Sequence, residues 1–149
     1  MSIHRPAAHR GRILAVDDSD VIRLLLQASL EQLGYSVATA DNGTAALQAA
    51  ERECFDAIIL DVGMPGLDGC AVGRALRSDP NHRHAVIAMH TTMAEPDVRS
   101  GFDGYDALLP KPCAPGLLGE HVDRLMQARR GDALLVLAAA AVGAAPPAA

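Results

Sequence analysis

Tryptophan is absent from the 149-residue chain, and two phenylalanines and two tyrosines are its only aromatic side chains. The core must therefore be aliphatic, and its elements should read as runs of Val, Ile, Leu and Ala. Cysteine is scarce: Cys54, Cys70 and Cys113 form an odd set without a C-x-x-C pair. This argues against a disulfide framework and for reduced thiols, buried or semi-buried, in a cytoplasmic protein. Positive charge is in short supply as well. A formal net charge of -5 and a pI of about 5.6 weigh against a nucleic-acid or anionic-lipid partner, which would need a basic stripe. The opening "MSIHRPAAHRGR" lacks the apolar run of a secretory signal. The apolar stretch at 133–145 falls short of the ~20 residues a spanning helix needs, so no membrane span is expected. Lysine is rarest of the charged types: Lys111 is the only one, and every other member of the Lys+Arg set is arginine.

What is present alternates regularly. "RILAVDD" (12–18) is a short apolar run ending in acids, and the segment after it, 18–35, repeats Val21, Ile22, Leu25, Leu26, Ser29 and Leu33 at helical spacing. Ser19 or Asp20 can cap that helix and Gly34 can end it. Further strands are predicted at 35–40, 55–61, 85–90 and 105–110, with helices at 41–53, 68–78, 95–101 and 114–130. Five strand–helix pairs with short connections predict a doubly wound α/β fold, a parallel sheet covered on both faces. The organisation expected is an N-terminal arm (1–11), one domain (12–130) and an Ala-rich tail (131–149), helical or disordered.

In such sheets the working groups gather beyond the carboxyl ends of the strands. There stand Asp17 and Asp18, then Asp61, then Thr91, then Lys111 between two prolines. Three carboxylates packed together repel by roughly 4 kcal/mol per pair at 4 Å and an effective dielectric near 20, so the cluster calls for a cation. An all-oxygen set with room for water favours Mg²⁺, with Mn²⁺ able to substitute. A lysine ammonium, a compact charge on a flexible stem, suits a reach across the pocket to single oxygens better than a forked guanidinium.

The motifs "ILAVDDS", "DAIILDVGMPGLDG" and "LLPKP", in that order and spacing, resemble those of response-regulator receiver domains of two-component signal transduction, over about 12–130. The resemblance implies a flavodoxin-like five-stranded sheet in the order 2-1-3-4-5. It implies phosphorylation of Asp61, with Mg²⁺ held by Asp18, Asp61 and the Gly63 backbone carbonyl and, through water, by Asp17. Lys111 and Thr91 would contact the phosphoryl group; a one-residue slip would put His90 or Thr92 in the place of Thr91. Implied partners are a histidine kinase or phosphotransfer protein and a downstream protein target, with catalysis confined to the chain's own phosphorylation and dephosphorylation. With 19 residues after Arg130, a stand-alone receiver is expected. Two departures stand out. The segment between Thr91 and Gly104 is short, which predicts a short fourth helix, and Leu108 occupies a place where the family usually carries an aromatic. These admit an alternative, a degenerate receiver that docks without phosphorylation. An aspartyl-phosphate hydrolase is disfavoured because Gly63 stands where a second acid would act. A flavin-binding module is disfavoured because "DDSD" would repel a phosphate. His82 and His84 are read as residues of a solvated loop.

Overall fold

The computed structural model describes residues 10–141, with side chains for 10–114 and 116–131. Ten elements alternate along it: β1 (Arg12–Val16), α1 (Asp20–Gln32), β2 (Ser36–Ala40), α2 (Gly43–Arg52), β3 (Ala57–Asp61), α3 (Gly69–Ser78), β4 (Val86–Thr91), α4 (Glu95–Gly101), β5 (Ala107–Pro110) and α5 (Pro115–Ala141). The strands form one parallel sheet in the order β2-β1-β3-β4-β5. This is the doubly wound arrangement that the alternating pattern predicts.

Strand side chains alternate between faces, and the core divides accordingly. Ile13, Ala15, Ile59 and Ala88 pack beneath α1 and α5 with Leu26, Leu30, Leu118 and Val122. The intervening Leu14, Ile58, Leu60 and Met89 pack on the other face with Ala46, Val72, Leu76 and Val98. β3 is buried along its whole length, as expected of the middle strand of a sheet covered on both faces.

Local chemistry fixes the element ends. Ser19 is the N-cap of α1, accepting a hydrogen bond from the Ile22 amide, and Asn42 and Asp68 cap α2 and α3 in the same way. Gly34 follows α1 at φ 96°, in the left-handed region that favours glycine. Gly69, the first residue of α3, lies against the backbone at the end of β3: a Cβ there would meet the Asp61 carbonyl oxygen at 2.5 Å. Only glycine lets this helix start so close to that strand end.

Some expectations need correction. His82 is fully buried, not solvated. Its Nδ1 lies 2.6 Å from Asp79 Oδ2 and its Nε2 accepts from the Phe55 amide at 3.0 Å, so the imidazole ties the entry to β3 to the turn before β4. His84 is exposed, as the loop reading had it. Cys54 is exposed, unlike buried Cys70 and half-buried Cys113; it sits in the turn after α2, where no packed face covers it. α4 is short at 7 residues, and its N-cap, Ala94, provides no side-chain bond. α5 runs past 130 to Ala141, in line with the helix preference of its Ala- and Leu-rich sequence. Residues 1–9 of the predicted arm and 142–149 of the predicted tail lie outside the described residues. Among the described residues, no helix is long and apolar enough to cross a membrane.

Candidate functional site: an acidic pocket at the strand ends

Asp17, Asp18 and Asp61 come together at the carboxyl end of the sheet. One carboxylate oxygen from each lies within 4.8 Å of the others. Asp17 and Asp61 are buried, whereas Asp18 is exposed at the mouth. Lys111 reaches the two buried acids, with its Nζ 3.2 Å from Asp17 Oδ2 and 3.2 Å from Asp61 Oδ1. The isolated lysine thus turns inward, and its neighbour Pro112 is joined through a cis peptide bond.

The local backbone holds these groups in place. The Ser19 amide donates to Asp17 Oδ1 at 2.9 Å, and the Gly63 amide donates to Asp61 Oδ1 at 3.2 Å. Thr91 ends β4, buried, with its hydroxyl accepting from the Met93 amide at 3.0 Å. The Lys111 amide donates to the Thr91 carbonyl at 2.8 Å, which brings the lysine loop beside that strand end. Asp17, Asp18, Asp61, Gly63, Thr91 and Lys111 therefore all lie at this end of the sheet. The hydroxyl of Thr91 bonds its own loop and not the acids.

Electrostatics match the geometry. Burial and the neighbouring Asp17 charge push the Asp61 carboxyl above its usual range, although Lys111 and the Gly63 amide oppose them. For Lys111, burial works against the charged form, but the Asp61 charge and the hydrogen bond to Asp17 outweigh it, so its affinity for the proton rises. The donor set is made of hard oxygens, one of them at the exposed mouth. It fits a small divalent cation such as Mg²⁺ better than a metal that prefers nitrogen or sulfur.

Sequence reasoning named His90 only as a residue that a one-residue slip would put in the place of Thr91. His90 is buried at the end of β4, and neither ring nitrogen has a hydrogen-bond partner among the described residues. Its parity was legible: residues 86, 88 and 90 share one face. Its burial depends on tertiary packing.

Comparison with known proteins decides the family. The family model for the response regulator receiver domain matches residues 13–123. The chain is a receiver domain of that family. Among relatives, the transcriptional activator protein PfeR of Pseudomonas aeruginosa is 38% identical over 83% of this chain and 40% of its own length. This receiver domain thus spans well under half of that relative. The chemotaxis protein CheY of the same species is 32% identical over 80% of this chain and 99% of its own length. Among solved structures, the response regulator TrrA from Thermotoga maritima, in complex with Mg²⁺ and a beryllium fluoride, superposes with a TM-score of 0.68. It is 33% identical, over 76% of this chain and 97% of that one. The receiver domain accordingly belongs to two-component systems, whose receivers act as signalling switches.

Proposed function

We propose that the chain is a phosphorylation-dependent switch that accepts a phosphoryl group on Asp61 from a histidine-phosphorylated protein and signals through protein–protein contacts. The observation that carries this reading is the position of Lys111 Nζ, 3.2 Å from both Asp17 and Asp61 inside the acidic pocket. Asp17, Asp18 and Asp61, with the Gly63 carbonyl, would hold Mg²⁺, and Mn²⁺ could substitute. Bound there, the ion would neutralise charge gathering on the transferred oxygens. A related receiver, TrrA, has been solved with Mg²⁺ and a beryllium fluoride, which supports the choice of cation.

One carboxylate oxygen of Asp61 forms the new O–P bond as the P–N bond to the donor histidine breaks and the electron pair returns to the imidazole. Lys111 supplies positive charge to a phosphoryl oxygen, and the Thr91 hydroxyl turns from the Met93 amide to another. Little more is required, because phosphoryl transfer depends on positioning and charge stabilisation. The chain is not an enzyme acting on an external substrate in this reading, and its setting is cytoplasmic, where histidine kinases present their phosphoryl groups.

The pocket rim supports a protein donor. The large apolar side chains exposed among the described residues are Val21, Leu24 and Leu25 on α1, Leu67 and Met93 in the loops after β3 and β4, and Leu117 on α5. Each lies in a loop after a strand's carboxyl end or in the first half of the helix that follows one, an apolar border suited to docking the donor face of a helical protein.

The test is incubation with Mg²⁺ and acetyl phosphate followed by intact mass. Wild type should gain one phosphate; Asp61→Asn, and wild type with a chelator, should gain none. An adduct that persists in Asp61→Asn, or no adduct in wild type, would overturn the reading.

A further inference from the structure

His90 stands among the pocket residues by position. Asp61 and His90 are direct register partners between β3 and β4, and His90 pairs in turn with Leu109 of β5. Ile13 and Ala15, Ala57 and Ile59, Val86 and Ala88, and Leu109 all face α1 and α5. The period of two extends this face to Asp17, Asp61, His90 and Lys111. Asp61 and His90 belong to β3 and β4, and Asp17 and Lys111 directly follow β1 and β5, so the four stand side by side at the strand ends. Lys111 follows β5 and reaches Asp61 and Asp17, which stand at the ends of β3 and β1, so the sheet order puts β4 and its His90 between the lysine's backbone and the acids.

The bonding along this row is incomplete. The ammonium has three donors, and its two carboxylate contacts, each at 3.2 Å, are longer than the ~2.7–2.9 Å of a strong charge-assisted bond. His90 is 3% exposed, and both of its ring nitrogens lack partners among the described residues. A buried imidazole in that condition is costly, and an aliphatic side chain would fill the space without the cost.

We propose that His90 is a positioning residue for the phosphorylated pocket: its imidazole accepts a hydrogen bond from the Lys111 ammonium once Asp61 carries a phosphoryl group, leaving the other two donors for Asp17 and a phosphoryl oxygen. Phosphorylation turns the Asp61 carboxylate into an acyl phosphate, which weakens it as an acceptor and frees the N–H that it held. The unpartnered imidazole of the neighbouring strand is the acceptor that can take that bond. It is neutral, because burial, and after it the positive charge of Lys111, lower its pKa to about 4, and a neutral ring keeps one nitrogen as an acceptor. The inference rests on the phosphoryl-accepting reading given under Proposed function.

The decisive measurement is the imidazole ¹⁵N spectrum of the full chain with Mg²⁺, before and after addition of beryllium fluoride, with His90 signals identified by their loss in His90→Asn. One His90 nitrogen should move into the hydrogen-bonded range in wild type and stay unmoved in Lys111→Met. In parallel, His90→Leu should take phosphate from acetyl phosphate roughly tenfold more slowly, the loss of one hydrogen bond to a charged group, whereas His90→Asn, which can still accept, should recover most of the rate. An unmoved signal, a Leu variant as fast as wild type, or an Asn variant as slow as Leu would each overturn the proposal. Should His90→Leu fail to fold, the spectrum alone decides. A wild type that takes up no phosphate removes the underlying reading as well, a failure distinct from a wild type that is phosphorylated while His90 stays silent.

Discussion

At the scale of single residues, buried charge and buried histidine govern how the molecule responds to pH. His90 binds its proton at about pH 4 in the folded chain, below its ordinary 6.5, chiefly because it is buried. As pH falls from 6.5 toward 4, the unfolded state takes up this proton first, so stability present above 6.5 is lost across that window. The loss is about 3 kcal/mol in total. Denaturant titrations of the metal-free protein at several pH values should show this decline in wild type and a flatter profile in His90→Leu. The difference between the two isolates His90 from Asp61, whose raised pKa works in the opposite sense. How much could be read in advance differs from residue to residue. Asp17, Asp18, Asp61 and Lys111 were legible because they close apolar runs, and a strand end in a doubly wound sheet is where polar chemistry collects. His82 and His90 were not. A histidine in a loop and one at the end of a strand look alike in sequence whether solvated or buried, and only packing from distant elements closes over them.

At the scale of elements, one contact links helix and pocket. α3 begins on Gly69 because a Cβ there would sit 2.5 Å from the Asp61 carbonyl oxygen and 3.0 Å from Val62 Cα. Both obstacles are backbone, so neither can swing aside. Gly69→Ala should destabilise the fold by roughly 1–3 kcal/mol, the usual cost of overpacking, read as a lower denaturation midpoint. It should also slow uptake of phosphate from acetyl phosphate, since the strand end that carries Asp61 must shift. The start of α1 was legible from its cap, as Ser19 stands where a capping residue should, while the caps Asn42 and Asp68 of α2 and α3 emerge from the structure. The brevity of α4 was legible from the shortage of residues before Gly104. The fate of the missing aromatic was not. Leu108 packs half-buried against the core beside α4, while Tyr105 lies nearby with its hydroxyl 3.4 Å from Glu95, an arrangement set by which helix covers the strand.

At the scale of the whole molecule, the order β2-β1-β3-β4-β5 gathers charged chemistry and exposed apolar side chains at one end of the sheet. The doubly wound sheet was legible because five aliphatic strands, each followed by a helix, need right-handed crossovers, whereas the strand order came from the family resemblance. The apolar border was not legible, because Val21 and Leu25 belong to a helical pattern that reads as core, and only the actual rotation of α1 leaves them outside together with Leu24. Leu24→Asp should therefore separate two routes of phosphorylation. Transfer from a histidine-phosphorylated protein donor should slow at least severalfold, while uptake from acetyl phosphate and thermal stability stay near wild type. Equal slowing of both routes would assign Leu24 to the pocket itself and remove the docking role.

The bond from the Lys111 amide to the Thr91 carbonyl carries a mechanical implication. Thr91 and Lys111 each stand four residues ahead of a helix, α4 and α5 respectively. Fastened to one another, the two tips behave like the paired jaws of a clamp, so a tug on either is felt at the roots of both helices together.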